Sequence, residues 1–210
     1  MSDERLSVTA GAAGLTTLVT RAHALDAAGS ARLRVRDGGS VDIFVSTPFD
    51  CLAARRVEGT VSRDGAVVAL GNLKHALTTG TDNIGPARDS SWAGALPPAD
   101  GFIERDIVPV HVVRSLADDG RRLAKQFSGP LGPPRSLLDQ NVLTADSGSG
   151  GGVDIPMRMI FTCTSLGLIP GAGAPADIPR HLRIATAGRW VRMDAPYGSV
   201  YHSTGLNLLF

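Results

Sequence analysis

The stretch Ile155-Pro156-Met157-Arg158-Met159-Ile160-Phe161-Thr162-Cys163-Thr164-Ser165-Leu166 decides the predicted fold of the C-terminal half. Its apolar content predicts a buried helix, which Gly167 ends. Two short alternating runs follow at residues 181–184 and 190–193, with Ala187-Gly188 between them. Alternation around a glycine-containing turn predicts a β-hairpin. A buried helix, a glycine stop and a hairpin together are the layout of a winged helix, which many unrelated α+β domains share.

The N-terminal half combines a helix with a small antiparallel sheet. Residues 8–28 carry apolar side chains at helical spacing. Residues 55–62 and 66–70 predict a second hairpin, and a short helix follows at 72–77. The whole chain is therefore predicted to be α+β, with an N-terminal helix plus antiparallel sheet and then a helical segment that ends in a β-hairpin.

The first hairpin has a register that the sequence itself specifies. Its strands alternate strictly on either side of Asp37-Gly38-Gly39, and a loop of this type takes glycine where φ is positive. In the register set by this loop, Leu33 faces Ile43 and Arg34 faces Asp42. An apolar pair and an ion pair then form across the strands, which favours this alignment over a slipped one.

The Gly- and Pro-rich stretch 78–100 shows no periodicity and is the best candidate for a boundary between two parts of the chain. We predict a first domain at residues 1–79, a linker or long loop at 80–106, and a helical domain with the C-terminal hairpin at 107–210. A chain of 210 residues is long enough for this arrangement.

Composition excludes several classes of protein. The formal net charge is +1, so no global field drives binding to nucleic acid or membranes, and any basic site must be local. Arginine outnumbers lysine, 19 to 2, so most cations of the chain are planar donors that can form bidentate contacts.

Cys51 and Cys163 are predicted to be separate buried thiols. The longest apolar run, 159–169, is too short to span a bilayer. We expect a cytoplasmic protein that does not contact a membrane.

A basic cluster is predicted on the C-terminal hairpin. A turn at Ala187-Gly188 would place Arg183 directly opposite Arg192, which is unfavourable unless an anion lies between the two. The cluster of four arginines would serve as a nucleic-acid contact: Arg180, Arg183, Arg189 and Arg192. Solvation, or pairing with Asp177 or Asp194, explains the same residues without a ligand.

Two further features are compatible with a bound ligand but do not identify it. Arg32, Arg34 and Arg36 form a basic row on one strand face, for which an anionic partner is one explanation and pairing with Asp42 another. A pocket between the two parts of the chain would serve an enzyme or a small-ligand-binding protein. Its candidate residues are Trp92, Tyr197, Ser199 and Tyr201.

The sequence names no reaction. The five histidines show no metal-ligand spacing with each other or with cysteine, and no acid–base pair or activated nucleophile stands out. We therefore predict no catalytic residue, no metal and no cofactor.

Several phrases resemble an uncharacterised conserved family of actinobacterial proteins, which implies no activity: Thr47-Pro48-Phe49-Asp50-Cys51-Leu52, Trp92-Ala93-Gly94-Ala95-Leu96-Pro97-Pro98, Leu137-Leu138-Asp139-Gln140, and Gly188-Arg189-Trp190 leading to Tyr197-Gly198-Ser199-Val200-Tyr201. Separately, Leu166-Gly167-Leu168-Ile169 before a hairpin is similar to the end of the recognition helix and the wing in MarR-like regulators. That resemblance implies a winged-helix DNA-binding domain.

The leading hypothesis is a non-enzymatic regulatory or adaptor protein that contacts nucleic acid through the basic hairpin. The enzyme or ligand-binding protein with a pocket between the two parts is one alternative. The other is a self-assembling interaction module, because residues 206–210 form an apolar C-terminus that calls for a partner surface. A protein partner or a homo-oligomer is expected under each hypothesis.

Overall fold

The computed structural model describes residues 3–127, 133–145 and 152–203. The chain divides into two compact units. Unit 1 comprises Met1–Pro48 and Leu52–Leu96, and unit 2 comprises Phe49–Cys51 and Pro97–Phe210. The apolar C-terminus predicted at residues 206–210 lies outside the described residues.

Unit 1 is an antiparallel sheet with two helices. Its elements in chain order are β1 (Asp3–Ala10), α1 (Ala12–Leu25), β2 (Ser30–Arg36), β3 (Ser40–Ser46), β4 (Leu52–Val61), β5 (Val67–Ala69), α2 (Leu70–Thr79), β6 (Asn83–Pro86) and a short 3₁₀ helix (Asp89–Ser91). Neighbouring strands of the unit follow the order β5-β2-β3-β4-β1-β6.

The register predicted for the first hairpin is confirmed. Leu33 pairs with Ile43, and Arg34 pairs with Asp42 across β2 and β3. The ion pair also forms, with 3.4 Å between Arg34 Nη2 and Asp42 Oδ2.

The second predicted hairpin is wrong, although both of its strands exist. β4 pairs with β3 and β1, whereas β5 pairs with β2. The connection between β4 and β5 turns toward β2 because two of its groups bond there. Asp64 Oδ1 accepts a hydrogen bond from the Val35 amide (2.8 Å), and the Gly65 amide donates to the Leu33 carbonyl (2.9 Å).

Helix α1 begins later than the sequence predicts, because residues 3–10 pair as β1 with β4 and β6. Gly11, with φ 89°, makes the turn from strand to helix. Leu15, Leu18 and Val19 bury one face of α1. Gly14 allows α1 to approach β4 closely, since a Cβ there would lie 2.1 Å from the guanidinium carbon of Arg55.

Unit 2 contains six further strands and three helices. Its elements are β7 (Ile103–Pro109), α3 (Val110–Phe127), α4 (Arg135–Leu138), β8 (Asn141–Ala145), β9 (Val153–Pro156), α5 (Met157–Ser165), β10 (His181–Ala187), β11 (Trp190–Ala195) and β12 (Gly198–Ser203). The strand order within the unit is β7-β10-β11-β12, and β8 pairs with β9.

The predicted winged helix is wrong, whereas the coarser prediction of an α+β protein is confirmed. The hairpin formed by β10 and β11 has a neighbouring strand on each side, since β10 also pairs with β7 and β11 also pairs with β12. A hairpin with a neighbour on each side is not a free wing.

The central helix of unit 2 is buried as the sequence predicts. All residues from Met157 to Cys163 in α5 are buried. α5 packs against α3 at Gly120, where a Cβ would lie 2.8 Å from Met157 Sδ and 2.9 Å from Phe161 Cε1. Gly120 therefore allows α5 to approach α3 closely, and α3 continues through this residue without a break.

The two units share an order of elements that their sequences do not reveal. In unit 1 a strand, a helix and three consecutive antiparallel strands follow one another as β1, α1, β2, β3 and β4. In unit 2 the same order recurs as β9, α5, β10, β11 and β12.

Candidate nucleic-acid interface

Helices α1 and α2 pack against each other and carry no acidic residue. Arg21 and His23 are the charged or titratable side chains of α1, and Lys74 and His75 are those of α2. His23 links the two helices, because its Nε2 lies 3.4 Å from the position that a Cβ on Gly71 would take. Every formal charge on this helix pair is therefore positive.

The outward face of the helix pair, which we call the α1–α2 face, is polar. Apart from Leu25, its exposed side chains are small or hydrogen-bonding: Ala12, Ala13, Thr17, Thr20, Arg21, Ala24, Asn72, His75, Thr78 and Thr79, with Lys74 half-buried beside them. Hydroxyl and amide groups next to cations are the groups that contact phosphate oxygens in nucleic-acid complexes. The face is thus chemically suited to a phosphate backbone.

Helix α3 differs from the α1–α2 face because it carries two acidic residues, each paired with an arginine on the same helix. Arg121 pairs with Asp118 at 2.7 Å, and Arg122 pairs with Asp119. Arg114 donates from Nη2 to the carbonyl of Pro170. With four Arg or Lys residues and two Asp residues, α3 has the same formal net charge of +2 as the helix pair, but the helix pair has no acidic residue.

The predicted juxtaposition of Arg183 and Arg192 is wrong. Ala187 pairs with Trp190, so the turn consists of Gly188 and Arg189, and Arg183 faces Asp194. Gly188 has φ 53° and occupies the first central position, which is where a type II′ turn takes glycine. The register differs by two residues from the predicted one, and the like-charge contact disappears.

The four arginines of the predicted cluster occupy different environments. Arg180 donates to the carbonyls of Gly171 (3.0 Å) and Ala174 (2.7 Å), which holds the preceding loop. Arg183 is exposed on β10, with 4.0 Å between its Nε and Glu104 Oε2. Arg189 is exposed in the turn. Their role as a nucleic-acid site stays a prediction.

Arg192 belongs to an aromatic cluster that the sequence did not reveal. Its guanidinium lies 4.2 Å from the ring centroid of Phe102, and its Nη2 pairs with Asp194 at 2.9 Å. Phe102 also packs edge-on against Tyr201, with ring centroids 6.0 Å apart. Ser199 donates to Asp194 at 2.6 Å. Arg192, Ser199 and Tyr201, which we predicted for two different sites, therefore meet on one sheet.

The other predicted pocket residues lie elsewhere. Trp92 belongs to unit 1, where it follows the 3₁₀ helix, and its Nε1 is buried without an acceptor among the described residues. Tyr197 precedes β12, and its amide donates to the carbonyl of Leu168 (3.0 Å). A groove of about 420 Å³ in unit 2 is lined instead by Leu123, Pro134, Ser136, Leu137 and Gln140. The pocket stays a prediction.

A polar cluster surrounds Arg158 inside unit 2. The Arg158 side chain is 7% exposed, yet its Nη1 donates to the carbonyl of Phe49 (2.7 Å) and to Asp50 Oδ2 (3.1 Å). Its Nη2 bonds to Asp139. Because three chain segments converge on one guanidinium, Arg158 fixes how they pack. The sequence showed an arginine in an apolar helix but not its partners.

Burial shifts the pKa of His202, near Arg158, and the pKa values of both cysteines toward the neutral form of each side chain. Burial and the positive charge of Arg158 lower the pKa of His202, while a hydrogen bond to the Asp50 backbone opposes that shift. Burial raises the pKa of both Cys51 and Cys163 to about 12. At neutral pH both thiols are therefore protonated, which makes them poor nucleophiles.

Metal and membrane sites are not found in the part of the chain that the structure describes. No group of three or more His, Cys, Asp or Glu side chains there could hold a metal ion. Within residues 3–127, 133–145 and 152–203, no helix is long and apolar enough to cross a membrane.

Comparison with protein families decides where the chain belongs. Residues 97–207 match a domain of unknown function, DUF8185. The chain belongs to the DUF8185 family. Residues 1–94 match a second domain of unknown function, DUF8010. No curated protein sequence matches the chain.

Solved structures similar to this DUF8185 chain are DNA polymerase sliding clamps. The DNA polymerase III beta protein of Caulobacter crescentus is 10% identical, with a TM-score of 0.57. The matched region covers 97% of this chain and 66% of the Caulobacter chain. The sliding clamp of Bacillus subtilis is 11% identical with a TM-score of 0.56, covering 100% and 67%. That of Bartonella birtlesii, solved with griselimycin, is 14% identical with a TM-score of 0.56, covering 99% and 66%.

These comparisons identify the fold and correct both resemblances drawn from the sequence. At such low identity they show the fold alone, which is that of a sliding clamp over nearly the whole chain. The chain spans about two thirds of the length of the clamp chains. The MarR-like winged-helix resemblance is wrong, and so is the regulatory or adaptor function that followed from it. The resemblance to an uncharacterised actinobacterial family is replaced by the two matched domain families.

Proposed function

We propose that this protein is a clamp-like module that assembles with further copies of itself and binds DNA through the α1–α2 face. Two observations support the proposal: the sliding-clamp fold extends over 97 to 100% of the chain, and the α1–α2 face carries only positive formal charge. The second carries the proposal, because it supplies a DNA-binding surface from this chain's own residues. Such a role on DNA belongs in the cytoplasm.

DNA binding by this face would depend on the phosphate backbone. Arg21 and Lys74 supply the permanent charges, and threonine and asparagine side chains surround them. Contacts of this kind position a protein on DNA without reading base sequence. We therefore expect weak, salt-sensitive DNA binding, with similar affinity for duplexes of different sequence.

The test compares three proteins on a labelled duplex at low salt by fluorescence anisotropy. Wild type is expected to bind, and Arg21→Glu/Lys74→Glu is expected to lose binding. Arg135→Glu, which changes an exposed arginine on α4, serves as the matched control and is expected to bind as wild type does. No binding by wild type, or equal binding by the double variant, would contradict the proposal.

The strand at one end of unit 2 supports self-assembly. Strand β7 ends the strand order of unit 2, and it carries Ile103 and Ile107 at 59% and 51% exposure. Exposed apolar side chains on a strand at the end of a sheet favour pairing with another strand. Sedimentation equilibrium is expected to give a mass above one chain for wild type and a lower mass for Ile103→Lys/Ile107→Lys. A monomeric wild type would contradict the assembly.

A further inference from the structure

His75 lies on the exposed surface of α2, within the α1–α2 face. Asn72, His75 and Thr79 follow one another at spacings of three and four residues, so they share one side of the helix. All three side chains are exposed. The imidazole of His75 therefore lies on the same surface as the groups proposed to contact DNA, and it adjoins Lys74 in the chain.

His23, the second histidine of the helix pair, is placed differently. It is half-buried, and its Nε2 lies 3.4 Å from the position that a Cβ on Gly71 would take. His23 is thus part of the contact between α1 and α2, whereas a ligand on the outward face would meet His75.

The four elements that pack most closely against α2 carry no acidic residue. They are α1, β2, β5 and β6. Their charged or titratable side chains are those of Arg21 and His23 on α1 and of Arg32, Arg34 and Arg36 on β2. Asp26 and Asp82 lie in the connections that follow α1 and α2. On these described helices and strands no carboxylate pairs with a protonated His75, so a phosphate ligand would supply the negative charge.

Histidine is the side chain that gains its positive charge between pH 8 and pH 5. Arg21 and Lys74 give the α1–α2 face two permanent positive charges, and protonation of His75 would add a third. A phosphate group next to an imidazole favours its charged form. By linkage, a proton on His75 then favours binding of the phosphate to the same extent.

The other polar groups of the face do not change with pH in this range. Arginine and lysine side chains stay charged between pH 8 and pH 6. Thr78 and Thr79 are uncharged, and each donates its hydroxyl proton to a carbonyl of the same helix, that of Lys74 and that of His75. His75 is therefore the exposed group through which pH alters the charge of this surface.

We propose that His75 is a further DNA-contacting residue of the α1–α2 face, and that its protonation strengthens duplex binding as the pH falls from 8 to 6. This inference rests on the DNA binding proposed above. The affinity rises by about two- to fivefold, which is the effect of one exposed ion pair. The slope of log K against log salt becomes steeper by about 0.9, because the imidazolium neutralises one more phosphate.

Fluorescence anisotropy of the full chain with one labelled duplex, at pH 8 and pH 6 and constant low salt, tests this role. Wild type should bind more tightly at pH 6. His75→Gln should bind at both pH values with the affinity that wild type has at pH 8, whereas His75→Lys should bind at both with about the affinity that wild type has at pH 6. His111→Gln, which changes an exposed histidine on α3, is the control and should keep the wild-type difference.

The outcomes separate the role of His75 from the DNA binding itself. Equal affinity of wild type at the two pH values would overturn the role of His75 and leave the DNA binding intact, as would a full pH difference in His75→Gln. No duplex binding by wild type at either pH would contradict the DNA binding and this inference together. Circular dichroism at pH 6 verifies that each variant is folded, and the opposite affinities expected for His75→Gln and His75→Lys at pH 8 depend on charge at one exposed position.

Discussion

Arg158 on α5 forms an ion pair with Asp50 at 3.1 Å, and Asp50 is the one described non-glycine residue with a positive φ, at 54°. A left-handed conformation is unfavourable for most residues, although aspartate tolerates it better than they do. The same guanidinium also bonds to the carbonyl of Phe49. Arg158 therefore holds the segment Phe49–Cys51 in its strained conformation within unit 2.

Replacing Arg158 by methionine is expected to destabilise the protein by about 2–3 kcal/mol, because hydrogen bonds to a charged group are lost and the Phe49 carbonyl is left without its donor. Urea unfolding followed by circular dichroism measures this change. Arg121→Met removes an exposed ion pair on α3 and should cost less than about 1 kcal/mol. Equal losses in the two variants would show that the contacts of Arg158 contribute no more than a surface pair.

Acidification is expected to destabilise the protein through His202. The pKa of this histidine is lowered in the folded state, mainly by burial and then by Arg158, so the unfolded chain binds its proton more readily. The contribution of neutral His202 to the free energy of unfolding is therefore fully present above about pH 6.5, the ordinary pKa of histidine. It is lost as the pH falls toward the lower pKa that His202 has in the folded protein. Asp50 and Asp139, which face the same cluster, limit this loss.

Urea unfolding at pH 7.5 and pH 5.5 measures the contribution of His202. The loss of stability between the two pH values should be smaller in His202→Gln than in wild type. His75→Gln, which changes an exposed histidine on α2, should leave the wild-type loss unchanged. If His202→Gln retains the full loss, His202 is not its source.

Neither cysteine should react with a disulfide reagent such as DTNB in the native protein at pH 8. Both thiols are buried and have a pKa of about 12, so little thiolate is present and access is blocked. Both should react fully in urea. A Ser115→Cys variant, whose new thiol would be exposed on α3, should gain one rapidly reacting group. Rapid native labelling of wild type would contradict the burial of these residues.

Gly59→Ala is expected to destabilise unit 1 by more than about 2 kcal/mol. A Cβ at Gly59 would lie 2.1 Å from the backbone oxygen of Ser7, where β1 and β4 meet at an irregular register. Backbone atoms cannot move aside as a flexible side chain can, and overpacking of this kind strains the fold. Gly171→Ala, at a position with open space around it, should change the unfolding free energy by less than about 0.5 kcal/mol.

The sequence predicted local features well and long-range pairing poorly. The register of β2 and β3 followed from a turn with two glycines and from the charges of Arg34 and Asp42. The register of β10 and β11 did not, because Gly188 can occupy either central position of a two-residue turn and only the observed one pairs Arg183 with Asp194. The winged helix failed because pairing of β7 with β10 joins residues far apart in the chain.

The candidate interface was missed for a related reason. The absence of Asp and Glu from both α1 and α2 is visible in the sequence, but it becomes significant only when the two helices pack together. Taken segment by segment, the basic residues of the sequence indicate the hairpin arginines instead. The sites of Arg158 and Arg192 likewise depend on partners, such as Asp139 and Phe102, that local patterns do not reveal.

The salt dependence of duplex binding tests the central claim most directly. The logarithm of the binding constant should fall linearly with the logarithm of salt concentration. Arg21→Gln and Lys74→Gln should each reduce the slope by about 0.9, because each removes one phosphate contact. Arg135→Gln, at an exposed position on α4, should leave the slope unchanged. Binding whose slope is the same in all four proteins, or no binding by wild type at low salt, would contradict a DNA-binding role for the α1–α2 face.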